Sequence, residues 1–219
     1  MTHEEISHYR LVSQKLYKTS SCSPQEIVKH FGAMQAQDYA MAKWAIGSRC
    51  DSNEKEIEEA INSGKIIRTH ILRPTWHFVS PDDIYWMLDL SAPQVKRFVI
   101  PAAKKFGYDE KKLNQVNSSI EKLLAGNNHL TRDEIMQELG ISKTSKEDFL
   151  SAAIMMNAEL DGLVCNGKMK GKQITYALLE ERVSKPNSKL TKVEALAKLA
   201  QRYFVSHGPA TVIDFSWWS

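Results

Sequence analysis

Gln35 and Gln37 stand two positions apart in the run GAMQAQDYAMAKW, residues 32–44, with Asp38 directly after them. An amide side chain has no useful proton affinity near neutral pH, so neither glutamine can be a general base; each can only donate and accept hydrogen bonds. If residues 34–38 are extended, the two side chains point the same way and Ala36 packs on the opposite face. On a helix they would diverge by about 200°. Two carbonyl oxygens side by side can hold a water and face a developing positive charge. The same pair can equally cap the helix expected to end at Gly32, or satisfy buried backbone groups. Asp38 has two readings as well, a general base or the N-cap of the helix YAMAKWAIGSR, and the cap is the commoner fate of an aspartate before such a run. No lysine lies within the motif to form a Schiff base, Lys43 being the nearest.

Three segments share the grammar of a helix start: SPQEIVKHFG from Ser23, TRDEIMQELG from Thr131 and TVIDFSWWS from Thr211. In each, Ser or Thr is followed three residues later by an acid, the capping-box pattern. The first two end at Gly32 and Gly140, residues able to turn the chain into a second helix. After Gly140, a helix capped at Ser145 with Asp148 is expected to bury Phe149, Ile154 and Leu160 and to stop near Gly162. The segment LVCNGKMKGKQITYALLEE then reads as a hairpin with Lys168, Lys170 and Lys172 at its tip. Helix, turn, helix and hairpin make a winged helix, and a basic tip is where a phosphate backbone would be met.

The first copy reads the same way, with an extra helix at 53–63 before the hairpin KIIRTHILRPTWHFV. Ile67, Thr69 and Ile71 should share one strand face, opposite Arg68, His70 and Leu72, with the bend at Pro74. Helices are expected at 81–90, 93–105 and 111–124. The third copy reaches only its first capped helix, which leaves Phe215, Trp217 and Trp218 poorly covered. A piece of a longer protein is expected, the alternative being that these aromatics fold back on the second unit. The fold class is thus mainly α with small β-hairpins, in tandem winged helices: 1–106, 107–184 and an incomplete third unit, 185–219.

The 219 residues, 42% hydrophobic and 25% charged, have the composition of a folded globular protein. Cys22, Cys50 and Cys165 are odd in number and lack CxxC spacing, which argues against a disulfide framework or a zinc site. The N-terminus MTHEEISHYR lacks a signal-peptide core, and no apolar run approaches a membrane span, so a cytoplasmic protein is expected. The net charge of +3 announces no nucleic-acid partner by itself.

MQAQD at 34–38, RTHILRPTWHFV at 68–79 and YFVSHGPATVIDFSWW at 203–218, in that order, resemble the winged-helix DNA-binding family that includes the AlkZ-type DNA glycosylases of alkylation and crosslink repair. The resemblance implies tandem winged helices lining a cleft, usually followed by a complete third unit and a small β-barrel. It implies that Gln35 and Gln37 are catalytic. It also implies that Arg68, Arg73, Thr75 and His77, with Lys143 and the hairpin lysines, meet double-stranded DNA carrying alkylated bases. No metal, organic cofactor, membrane or obligate protein partner is implied. Pro74 stands where many relatives carry glycine, which bears on the shape of the bend.

The chemistry is consistent with that implication. A guanine alkylated at N7 already carries positive charge and leaves as a neutral base, so the proton that an acid supplies in sugar hydrolases is unnecessary. What remains is to hold a water and to offer oxygen dipoles to the oxocarbenium charge. The rival readings are a winged-helix transcriptional regulator without chemistry, and an interaction module with no specific nucleic-acid partner.

Overall fold

The computed structural model describes residues 1–17, 21–141 and 145–219, with side chains from 148 onward in the last stretch. Lys143 therefore lies outside the described residues, as does the side chain of Ser145, the expected cap. The chain opens with α1 (His3–Ser13) and α2 (Pro24–Phe31), the latter begun by Glu26 reaching back to the Ser23 amide at 2.7 Å. There follow β1 (Ala33–Gln35), α3 (Tyr39–Gly47), α4 (Glu54–Asn62), β2 (Ile67–His70), β3 (Trp76–Val79) and the long α5 (Ile84–Lys104). The second half runs α6 (Glu110–Leu124), β4 (Leu130–Thr131), α7 (Arg132–Glu138), α8 (Ser145–Leu160), β5 (Val164–Asn166) and β6 (Thr175–Leu178). It closes with the single turn α9 (Leu179–Arg182), α10 (Lys192–His207) and α11 (Val212–Trp218). The molecule is mainly helical with two small antiparallel sheets. No described helix is long and apolar enough to cross a membrane.

The two halves repeat one order: a helix, a short strand, two helices, then a two-stranded hairpin. Their sheets run β1-β3-β2 and β4-β6-β5, so in each the first strand pairs with the last. This corrects the pairing of the capped segments. Gly32 takes φ +76°, yet the chain leaves it into β1, because the amides of this segment pair with β3. The helix from Ser23 precedes its strand while the helix from Thr131 follows one, so the counterpart of α7 is α3. α10 is followed by α11 with no strand assigned between them, and Thr211 and Asp214 form the capping box of α11.

Two proline-containing helices expected at 81–90 and 93–105 are a single helix. Pro93 and Pro101 both lie on the exposed side of α5, and so do Asp89 and Arg97, four residues earlier, whose carbonyls lose their partners. Water can satisfy those carbonyls, and the helix continues. Phe149 is exposed, against expectation, whereas Ile154, Met155 and Leu160 are buried.

β2 is buried on both faces. On one side Ile67 joins Ala33, Val79 and residues of α5 and α10; on the other, Phe78 and Ile66 join α2, α3 and α4. Beyond its free edge lies β5, where Asn166 Oδ1 accepts the Arg68 amide at 2.7 Å. Met169 N donates to Asn62 Oδ1 at 2.9 Å, and Arg182 to the Ile61 carbonyl at 2.8 Å, so polar bonds also tie the two repeats together. Phe215 and Trp218 do fold back, but onto Tyr203 and His207 of α10 rather than the second repeat; Trp217 is 82% exposed.

Candidate active site

Gln35 ends β1 and Gln37 lies two residues on, where the chain bends towards α3; both are exposed, with Ala36 between them fully buried. The local sequence accounts for this. Ala36 is small enough to pack inward beside Phe78, and the alternation leaves its two neighbours on the opposite face. The ladder continues for one bond, Ala36 N–H to the Trp76 carbonyl at 2.7 Å, and then breaks. The Ala36 carbonyl is taken by Arg68 Nε at 3.0 Å, and the Trp76 N–H donates to Gln37 Oε1 at a long 3.4 Å. Gln37 thus satisfies a strand amide, in part, as well as facing solvent.

Asp38 caps α3: its Oδ1 accepts from the Met41 amide at 3.0 Å. The carboxylate is therefore engaged in holding the helix that follows the motif. Asp38→Ala is expected to cost about 1 kcal/mol in a urea titration. Asp38→Asn, which keeps the acceptor, should leave both stability and any glycosylase rate close to wild type. A loss of more than roughly a hundredfold in rate with Asp38→Asn would reinstate this residue as a base.

His77 sits directly across the sheet from Gln35 and from Thr69 on the other side, so the three side chains share one face. It is 6% exposed. Its Nδ1 lies 2.9 Å from the Thr75 carbonyl, which can only accept, so the proton is on Nδ1 and Nε2 keeps its lone pair. Burial lowers the His77 pKa to about 4, helped by the charge of Arg73, so the ring is neutral at pH 7 and offers no cation to a phosphate. The Thr69 and Thr75 hydroxyls, buried in the same region, find no partner among the described residues.

The depressed His77 pKa makes stability pH-dependent. The unfolded chain takes up this proton near pH 6.5 and the folded chain near 4, so the contribution is complete above about 6.5 and is lost as pH falls towards 4. Between pH 7 and 4.5 wild type should lose about 2.5 kcal/mol more than His77→Gln, as measured by urea unfolding of both at each pH. His30 and His207, also lowered chiefly by burial, titrate the same way in both proteins and cancel in that difference.

Arg68 corrects the expectation of a DNA contact. Its guanidinium is 5% exposed, lies 4.3 Å from the Trp76 ring centre and holds the Ala36 carbonyl, so it cannot reach a phosphate. Arg73 is exposed, but its Nε and Nη2 donate to the Trp218 and Trp217 carbonyls at 3.1 and 3.0 Å, closing the end of α11 against the bend before β3. Lys168 and Lys172 are exposed in the β5–β6 turn, and Lys170 there is paired with Glu134. The structure thus brings Gln35, Gln37, Thr75 and His77 together, with Arg73 beside them, and leaves the lysines on the other repeat. Sequence reasoning missed Glu159, buried at the meeting of the repeats, because a lone glutamate in an apolar helix carries no local signal. Among the described residues no group of three or more His, Cys, Asp or Glu side chains is placed to hold a metal ion.

A family model described as DNA glycosylase AlkZ-like matches residues 28–219, from within α2 to just past α11. The chain belongs to that family. Among solved structures it is similar to Streptomyces sahachiroi DNA glycosylase AlkZ, with a TM-score of 0.78 and 21% sequence identity over 100% of this chain. That likeness is one of fold. The AlkZ-like chain spans 60% of that relative's length. No match to a curated protein was found.

Proposed function

We propose that this chain carries the catalytic part of a DNA repair glycosylase that hydrolyses the N-glycosidic bond of cationic N7-alkylated purines. The observation that carries the reading is the pair Gln35 and Gln37, both exposed on either side of buried Ala36, whose backbone is clamped by Arg68 and Trp76. The amide oxygens hold the attacking water below the sugar and face the oxocarbenium charge. Because the base leaves neutral, no acid is required. His77, neutral and with Nε2 open, stands across from Gln35 to receive the proton the water sheds. The repeated order of helix, strand, two helices and hairpin supports reading 1–106 and 107–184 as winged helices, with 185–219 starting a third. Lys168 and Lys172 are then the phosphate contacts of the second wing.

The regulator reading fares worse on two counts. In a helix-turn-helix the second helix enters the major groove. The helix in that place in the first repeat, α4, carries Glu54, Glu56, Glu58 and Glu59. Its counterpart α8 has no exposed residue from Leu150 to Leu160. A glutamate-bearing helix is repelled by phosphate, and one covered from Leu150 to Leu160 leaves little of its length free to enter a groove.

Hydrolysis by water is favoured over a lyase because Lys43 is buried and bound to Glu54 and Glu58, each at 2.6 Å. Burial works against its charge, but those two carboxylates outweigh it and hold the pKa above the usual lysine value. With duplex DNA containing 7-methylguanine, the expected products are free base and an unbroken strand with an abasic site. Borohydride present during turnover should trap no covalent adduct. A nicked strand or a trapped adduct would refute hydrolysis by water; tight duplex binding without base release would restore the regulator.

A further inference from the structure

Glu159, on α8 of the second repeat, is 1% exposed, and its partners come from the first repeat: Oε2 meets His70 Nδ1, and Oε1 accepts from Trp76 Nε1 at 3.2 Å. A buried carboxylate costs several kcal/mol unless it is paired and hydrogen-bonded, so its partners are held in place by that cost. Trp76 is the residue whose peptide secures the end of β1. Its carbonyl accepts the Ala36 amide at 2.7 Å, and its N–H donates to Gln37 Oε1. Its indole face carries the Arg68 guanidinium, which donates to the Ala36 carbonyl. Both backbone hydrogen-bonding groups of Ala36, between the two glutamines, therefore end on Trp76 or Arg68; the Trp76 indole bonds Glu159, and the Arg68 guanidinium lies within range of its charge.

We propose that Glu159 is a positioning residue for the glutamine pair, a carboxylate supplied by one repeat that orients Trp76, and through it and Arg68 the backbone carrying Gln35 and Gln37, in the other. Its effect on rate rests on the glycosylase reading; its effect on geometry does not. The second repeat is thus part of the active site without touching substrate, and docking of the repeats and assembly of the site are one event.

The test uses Glu159→Gln, which keeps size and an acceptor but removes the charge, and Trp76→Phe, which keeps the ring and removes the indole donor. Trp76→Phe leaves the carboxylate paired with His70, so it keeps the test available should Glu159→Gln fold poorly. In NMR spectra of the full chain, both variants should shift the Ala36 amide and the Gln37 carboxamide signals, while the carboxamide of Gln115 on α6 stays in place. Single-turnover release of 7-methylguanine should fall roughly tenfold or more. Duplex Kd should stay within about twofold, and the double variant should be no slower than the slower single one. Unmoved Ala36 and Gln37 signals in folded variants would overturn the proposal, as would an unchanged rate with shifted signals, or a rate loss matched by an equal loss of duplex affinity. If wild type releases no base while the signals still shift, the positioning network stands and the glycosylase reading falls.

Discussion

Alanine at Gln35 or at Gln37 is expected to slow single-turnover release of 7-methylguanine by roughly 10²–10³-fold, the effect of removing one preorganised dipole from a developing charge. The two losses should not multiply in the double variant, because one water is held by both amides and either deletion releases it. Duplex affinity should change little: both side chains are exposed and uncharged, and neither neutralises a phosphate. The two substitutions should differ in stability. Gln35 makes no side-chain bond that the fold needs, whereas Gln37 receives the Trp76 amide, so only Gln37→Ala should carry a small cost in a urea titration. Full activity in both variants would remove the amides from the mechanism.

Arg68→Ala should destabilise the protein by about 2–4 kcal/mol, because it empties a buried site against the Trp76 ring and strips the Ala36 carbonyl of its donor. Arg68→Lys should recover little of this. An ammonium cannot lie flat on the Trp76 ring and donate sideways to Ala36 as the guanidinium does. Burial already pulls the Arg68 pKa below the usual arginine range, with Glu159 opposing it, which places the pair in one low-dielectric region. Urea unfolding of the three proteins measures the effect. A cost under about 1 kcal/mol for Arg68→Ala would mean that the clamp on the motif is not under load.

Much of this architecture is legible in local residue patterns. Capping boxes at Thr131 and Thr211 and the alternation of exposure around Ala36 each act over a few residues and appear where the pattern places them, whereas the hairpin turns at Gly171-Lys172 and not at Asn166-Gly167, which continues β5. The readings that failed depend on contacts far along the chain. Gly32 is followed by β1 because a strand more than forty residues later accepts its bonds. Pro93 is tolerated because of which side of α5 faces water. Arg68 looks like a DNA contact on a strand of alternating polarity, and is instead buried, on a strand whose free edge the second repeat closes. The exposure of Gln35 and Gln37 about a buried Ala36 could be read from spacing alone; Glu159, more than 120 residues further on, could not.

The central claim is that two amides beside a neutral histidine, with no acid, suffice only when the departing base already carries the charge that an acid would supply. Matched duplexes carrying 7-methylguanine, a cationic leaving base, or hypoxanthine, a neutral one, test it directly, with each rate of free-base release divided by the spontaneous rate for the same duplex. The account predicts acceleration of 7-methylguanine release that is lost in Gln35→Ala and Gln37→Ala, and no acceleration for hypoxanthine. Comparable acceleration of both bases would contradict it, since a neutral base cannot leave at that rate without a proton donor that the glutamine pair does not contain.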